Sequence, residues 1–165
     1  MKQPNPEFHK VSLLFGSKTK AQEILLLLNN LKPVLRQGFY EHELPKIEKF
    51  CQSHDLALVK SGFKVLFADD TTYSNKGFRV PGSDKRPGMY FVYISKDEEK
   101  AQLAAYHELM QDDRGLGLLL GYPSCCCKAF ASGAGDFAGS DEWLWLRRRV
   151  ETPGCIPAEM HPVLM

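Results

Sequence analysis

The sequence has almost no net charge, because 21 Lys and Arg residues are balanced by 20 Asp and Glu residues. A chain with a formal net charge of +1 has no overall electrostatic attraction to nucleic acid or to acidic lipid. Nucleic acid is therefore not expected as a partner. A small molecule or an anionic partner is compatible with this balance, provided that the surface it binds is locally basic.

Long apolar runs are also missing. The runs at 24–28 and 116–120 are far shorter than the roughly 20 residues that a membrane-spanning helix needs. Residues 1–7 contain no apolar core of the signal-peptide type. From these absences we expect a soluble, cytoplasmic protein with no membrane partner.

Paired Cys-x-x-Cys motifs, glycine-rich phosphate loops, dinucleotide-binding fingerprints and internal repeats are absent. The five cysteines are odd in number and three are adjacent, unlike the spaced disulfide framework of a small secreted domain. We therefore expect reduced thiols. At 165 residues the chain can bury a core without metal or disulfide staples, so 1–165 is expected to be one domain, with loosely structured ends at 1–10 and 151–165.

The order of hydrophobic periodicities predicts a single-domain α+β fold, in which a mainly antiparallel sheet is covered by helices and the C-terminal half is helical. Strands are predicted at 11–15, in a hairpin of residues 57–68 that turns at Ser61-Gly62, and at 89–94. Helices are predicted through Leu28, from Glu43 to His54, from Ser95 to about Gln111, and at 142–150. The segment 34–41 is ambiguous between a strand and an extended turn.

Within the helix that follows Ser95, the residues Leu103, Tyr106 and Met110 recur at helical spacing and are predicted to be its buried stripe. His107 lies at the edge of that stripe. It is a candidate to face the cysteine motif described next, although a hydrogen-bonded core histidine is the commoner meaning of this position.

The most distinctive stretch is 121–130, where Cys125, Cys126 and Cys127 are adjacent. Pro123 suits the first position of a helix, because its missing N–H would be unbonded there, and Gly121 suits the end of the preceding apolar segment. The stretch is therefore predicted to form a helix, a tight corner and a second helix.

If Pro123 begins the second helix, Cys125 is its third residue and lies near the positive end of the helix dipole, which favours thiolate over thiol. At about 100° per residue, Cys126 falls on an apolar stripe with Phe130 and is expected to be buried, whereas Cys125 is reachable. Cys127 has no evident role. The simplest alternative for all three is that cysteine often acts as a small buried hydrophobe.

The sequence Leu120-Gly121-Tyr122-Pro123-x-Cys125-Cys126, followed by an aromatic residue at Phe130, resembles the hallmark of an uncharacterised family, domain of unknown function 483. The resemblance extends back through 93–96 to 14–18, and so covers about 11–130. It points to a family and implies no reaction, cofactor or partner.

Two hypotheses place chemistry at this motif. In the first, Cys125 and Cys126 bind a soft transition metal such as zinc, or act in thiol redox chemistry, and His107, Cys155 or His161 completes the set. Adjacent cysteines on a helix point about 100° apart, so one ion would contact both only in a distorted first turn. In the second, Cys125 is a catalytic nucleophile with His107 as its base.

A third hypothesis is a non-catalytic binding or accessory module, in which Trp143, Trp145 and the arginines at 147–149 form a surface for an anionic partner. An amphipathic helix with inward tryptophans and solvated arginines is the alternative for that segment. The segment 70–88, rich in Gly, Pro and Ser, is predicted to be a wide loop or flap. Its basic residues could clamp an anion, although a solvated mobile loop is the commoner meaning.

Overall fold

The computed structural model describes residues 6–67 and 77–132. A 3-10 turn, Glu41–Glu43, precedes the third helix. The helices and strands, in chain order, are α1 (Pro6–Phe15), α2 (Lys18–Leu28), β1 (Leu35–Tyr40), α3 (Leu44–Ser53), β2 (Ala57–Phe67), β3 (Gly77–Pro81), β4 (Met89–Ser95), α4 (Glu98–Leu109), α5 (Asp113–Leu119) and α6 (Ser124–Ala131). None of the helices in these ranges is long and apolar enough to cross a bilayer.

The four strands form one antiparallel sheet in the order β1-β4-β2-β3. The strand with the clearest apolar pattern, β4, lies in the interior of the sheet, where Ile94 pairs with Leu35 on one side and with Leu58 on the other. The ambiguous segment 34–41 supplies β1. The predicted α+β fold with an antiparallel sheet is confirmed.

Side chains alternate between two cores along β4. Val92 and Ile94 point to the larger core, which is covered by α1, α2 and α3. Phe15 lies in that core, with its ring centroid 5.2 Å from that of Phe50 in an edge-on contact. Tyr93 points to the opposite face, where a smaller core is built with α4 and α5.

The prediction of a strand at 11–15 is wrong, because these residues belong to α1. Val11 and Phe15 lie one helical turn apart and are buried in the larger core, whereas Leu13 is 68% exposed. A short apolar run is compatible with either a strand or a helix segment, and here the partners on α2 and α3 select the helix. The prediction that residues 1–10 are loosely structured is wrong for 6–10, which belong to α1, and residues 1–5 lie outside the described residues.

The prediction of a hairpin in residues 57–68 is also wrong, since one continuous strand, β2, runs through this segment. Its register against β4 shifts between Lys60 and Lys64. The Ser61 hydroxyl lies within that irregular stretch, donates to the Phe63 carbonyl at 2.7 Å and accepts from the Phe91 N–H at 3.1 Å. The Ser-Gly pair therefore marks a β-bulge and not a turn.

The segment predicted to be one wide loop contains the edge strand β3, which pairs with β2. A compact turn of residues 82–88 then leads into β4. The remaining part, 68–76, lies outside the described residues, as do the predicted helix at 142–150 and the end at 151–165.

The predicted buried stripe of α4 is wrong. Leu103, Tyr106 and Met110 are 43%, 55% and 59% exposed, and the face that meets the sheet instead carries Ala101, Ala104 and Glu108. The small alanines let α4 lie close to the sheet. The third buried position is a carboxylate, whose partners are described below.

Candidate functional site

The cysteine motif lies where α5 meets α6. The carboxylate of Asp112 caps α5 by accepting from the Gly115 N–H at 2.9 Å. Gly121 then turns the chain with a φ of +85°, and the Tyr122 N–H donates to the Gly117 carbonyl at 3.0 Å. The prediction of a helix, a tight corner and a second helix is confirmed.

The helix α6 begins at Ser124, one residue later than predicted. Pro123 has a ψ of 141° and is the N-cap, and its carbonyl accepts from the N–H groups of Cys126 at 2.9 Å and Cys127 at 3.1 Å. Cys125 is therefore the second helical residue and not the third. It still lies in the first turn, near the positive end of the helix dipole.

The three adjacent cysteines differ in burial, and the prediction for Cys126 is wrong. Cys125 is exposed as expected, but Cys126 is only half-buried and Cys127 is the buried member, with 4% exposure. The apolar stripe predicted for α6 does not form a core face, because Phe130 is 60% exposed. The helix presents Cys127 to α5, which rotates Cys126 and Phe130 outward.

Cys127 has a structural role that the sequence analysis missed. Its Sγ donates to the Tyr122 carbonyl at 3.6 Å, and a Cβ atom placed on Gly117 would lie only 2.8 Å from this sulfur. The absence of a side chain at Gly117 therefore provides the space that Cys127 fills. The pair of glycines in α5 indicates from the sequence that another segment packs closely against this helix. It does not identify Cys127 as the residue that does so.

We expect Gly117→Ala to destabilise the fold by about 1–3 kcal/mol, because the added methyl group overpacks this contact. In a Cys127→Ala background the same substitution should be neutral or stabilising, since alanine has the higher helix propensity. Urea unfolding of the wild type, both single variants and the double variant measures the coupling. A coupling below about 0.5 kcal/mol would contradict the packing described here.

The other two cysteines are close to each other on the outer side of the corner. The Sγ atoms of Cys125 and Cys126 are 3.9 Å apart. In a tetrahedral zinc site with Zn–S bonds of about 2.3 Å, two thiolate sulfurs are separated by about 3.8 Å. The two sulfurs therefore have the separation of two adjacent ligands of one tetrahedral ion. The rotation of about 100° between neighbouring helical residues does not by itself predict so short a separation.

His107 lies at the end of α4 and packs against the start of α5. Its Nδ1 atom is 2.8 Å from Oδ2 of Asp112, and a Cβ atom on Gly115 would lie 2.5 Å from the imidazole ring. The pairing of His107 with Cys125 as base and nucleophile stays a prediction.

The remaining predicted ligands, Cys155 and His161, lie outside the described residues, as do Trp143, Trp145 and the arginines at 147–149. Within the described residues, no group of three or more His, Cys, Asp or Glu side chains is placed to hold a metal ion. The described part of the corner thus supplies two candidate sulfur ligands, Cys125 and Cys126.

A buried ion cluster attaches α4 to the sheet beside this corner. The Glu108 carboxylate is 3% exposed and accepts from Arg36 of β1, through Nε at 2.5 Å and Nη2 at 3.1 Å, and from Nη2 of Arg79 of β3. Nη1 of Arg79 also donates to the Glu108 carbonyl at 3.0 Å. The Arg36 guanidinium lies 3.9 Å from the ring centroid of Phe91. The Arg79 guanidinium lies 4.5 Å from the ring centroid of Phe63.

Tyr93 lies next to this cluster in the smaller core. Burial, reinforced by the negative charge of Glu108, raises the pKa of the Tyr93 hydroxyl well above its ordinary value. The hydroxyl lies beside the Glu108 carboxylate. The ion pairs of Glu108 with Arg36 and Arg79 attach α4 to the sheet. Because α4 leads directly into α5, they also help to fix the position of the cysteine corner.

In comparisons with known proteins, no family model, no curated protein and no solved structure matches the chain significantly.

Proposed function

We propose that the protein binds a thiophilic metal ion of the zinc class through Cys125 and Cys126. The observation that carries the proposal is the 3.9 Å separation of the two sulfurs. That separation suits two ligands of one tetrahedral ion. The exposure of Cys125 also leaves a path from solvent for the ion.

The position of the pair on α6 supports metal binding in a second way. Zinc binds cysteine as thiolate, so both thiols must lose their protons. The first turn of a helix favours negative charge. The site therefore lowers the cost of the deprotonated pair, and metal binding should weaken as the pH falls.

A tetrahedral site needs more ligands than this pair. Cys155 and His161 are the soft and borderline donors in the C-terminal segment. The chain from Ser132 to Cys155 spans 23 residues in sequence, and an extended chain covers about 3.3 Å per residue, so length does not prevent either donor from reaching the corner. We propose these two residues as the completing ligands.

The exposed position of Cys125 also supports a second candidate, a thiol-dependent reaction in which Cys125 is the nucleophile or redox-active sulfur. The two candidates differ in a simple measurement. A metalloprotein carries bound ion that protects both thiols, whereas a thiol enzyme carries one fast-reacting thiol and no metal.

The test is elemental analysis of the full chain purified without added metal, followed by zinc competition against a chromophoric chelator. We expect about one ion per chain for the wild type and loss of binding for Cys125→Ser/Cys126→Ser. Ser124→Ala is the matched control, because Ser124 is an exposed neighbour in the same turn. Cys155→Ser and His161→Ala should each weaken binding at least tenfold. Unchanged binding by the double serine variant would overturn the proposal.

A further inference from the structure

A cavity of about 710 Å³ lies between the 3-10 turn Glu41–Glu43 and the turn of residues 82–88, away from the cysteine corner. Its size is within the range of small-molecule sites. The lining combines three cations with an aromatic edge formed by Tyr40 and His42, whose rings are nearly parallel at 14°.

The cavity contains a buried cation. Lys64 is only 5% exposed, and its ammonium donates to the backbone carbonyl of Asp84 and, at 3.2 Å, to that of Arg86. No carboxylate of the described residues forms an ion pair with Lys64. An ammonium has three N–H donors, and the described residues accept from two of them, which leaves one donor for an occupant of the cavity. The Asp84 carboxylate acts on Lys64 only through space, because its oxygens are bonded to Arg86, so an anion bound in the cavity would stabilise the buried ammonium further.

The charges that line the cavity leave an excess of positive charge. Arg86 is already paired with Asp84, through Nε to Oδ1 at 3.0 Å and Nη2 to Oδ2 at 2.8 Å. These hydrogen bonds hold the pKa of Asp84 well below its usual range, so Asp84 is ionised and neutralises Arg86. Among the described residues that line the cavity, three cations, Lys64, Lys85 and Arg86, thus stand against two carboxylates, Glu41 and Asp84.

The wall of the cavity is fixed before any ligand arrives. The Tyr90 hydroxyl donates to the Gly82 carbonyl at 2.8 Å, and the Gly82 N–H donates to the Gly62 carbonyl at 2.9 Å. A Cβ atom on Gly88 would lie 2.6 Å from the Leu66 side chain, so the turn packs directly on β2. A preformed site loses little conformational entropy when a ligand binds.

We propose that this cavity binds a small organic anion, a phosphate or carboxylate group carried on a planar ring. The anionic group accepts from Lys64, and Lys85 adds charge from the rim. The ring packs against the aromatic edge of Tyr40 and His42, where Tyr40 is 38% exposed. This site is independent of the metal proposed at Cys125 and Cys126.

The test is a titration of the ¹⁵N-labelled full chain, followed by two-dimensional NMR, with phenyl phosphate, benzoate, inorganic phosphate and neutral phenol. We expect saturable shifts of the amides of 40–43 and 82–88 with phenyl phosphate or benzoate, weaker binding of inorganic phosphate, and no response to phenol. The one of these two ligands, phenyl phosphate or benzoate, that binds more tightly shows whether the site prefers a phosphate or a carboxylate. Absence of saturable shifts with both, or shifts confined to other parts of the chain, overturns the proposal.

Two variants locate the anion. Lys85→Glu changes an exposed rim residue and is expected to weaken binding at least tenfold without affecting the fold. Lys49→Glu is the matched control, since Lys49 is exposed on α3 and does not line the cavity, and it should bind like the wild type. Lys64→Met is expected to abolish binding. If Lys64→Met does not fold, the affinity of Lys85→Glu for the ring anion is the deciding measurement. Wild-type affinity of Lys85→Glu would refute the proposed site.

Discussion

Glu108→Gln is expected to lower the free energy of unfolding by about 3 kcal/mol, because it removes the negative charge that pairs with two guanidinium groups. In glutamine one of the two carboxylate oxygens is replaced by an NH2 group, which donates and cannot accept, so at least one of the present hydrogen bonds from Arg36 or Arg79 is lost. The two arginine side chains are 33% and 40% exposed, which lets water solvate them in the variant. For that reason the expected loss lies at the low end of the range for a broken buried ion pair.

Urea unfolding at neutral pH measures this loss, and Glu99→Gln provides the matched control. Glu99 is an exposed residue of the same helix, so its substitution should change the stability by less than about 0.5 kcal/mol. A loss below about 1 kcal/mol for Glu108→Gln would show that the cluster contributes little. Since α4 leads into the cysteine corner, the Glu108 variant should also shift the NMR signals of α5 and α6.

The elements that the sequence predicts well are those whose partners are neighbours in sequence or whose pattern is unambiguous. The helix predicted from Glu43 to His54 is present as α3, in which Leu44, Ile47 and Cys51 recur at helical spacing and are all buried. The apolar segment 89–94 forms the interior strand β4. The corner at Gly121 follows from local backbone preferences, so its helix–corner–helix shape was accessible from the sequence.

The incorrect predictions concern residues whose environment is set by distant parts of the chain. Glu108 occupies the buried face of α4 because Arg36 and Arg79, 72 and 29 residues away in sequence, neutralise it. A prediction from periodicity places a glutamate on the solvent-facing side, and so it assigns the wrong face of α4 to the core. For this reason the sequence predicts that Leu103 and Tyr106 are buried, although both are exposed.

The cysteine corner shows the same limit at a shorter range. The sequence could place Cys125 in the first turn of a helix, because Pro123 marks the start to within one residue. It could not show which cysteine faces α5, since that depends on the space above Gly117. The separation of the sulfurs of Cys125 and Cys126 is also a property of the folded turn, and no residue pattern predicts it.

In the native, reduced protein at pH 8 with a chelator present, iodoacetamide is expected to label Cys125 first, Cys126 more slowly, and Cys51 at least about a thousand times more slowly than Cys125. Burial, with a smaller contribution from the charge of Glu48, raises the pKa of Cys51 to about 12. At pH 8 roughly one Cys51 thiol in ten thousand is then ionised, against about one in four for an ordinary thiol with a pKa of about 8.5. Cys127 should resist labelling because it is buried.

Mass spectrometry of timed samples locates each label, and the same reaction in urea is the control, because unfolding should make the thiols react at similar rates. Raising the pH from 7 to 9 should leave native Cys51 slow, since its folded pKa lies well above that range. Repeating the native reaction with zinc should protect Cys125 and Cys126 together if they share one ion. Labelling of Cys51 or Cys127 as fast as that of Cys125 would contradict this order; fast labelling of Cys127 would indicate that the corner opens readily, and fast labelling of Cys51 that the larger core does.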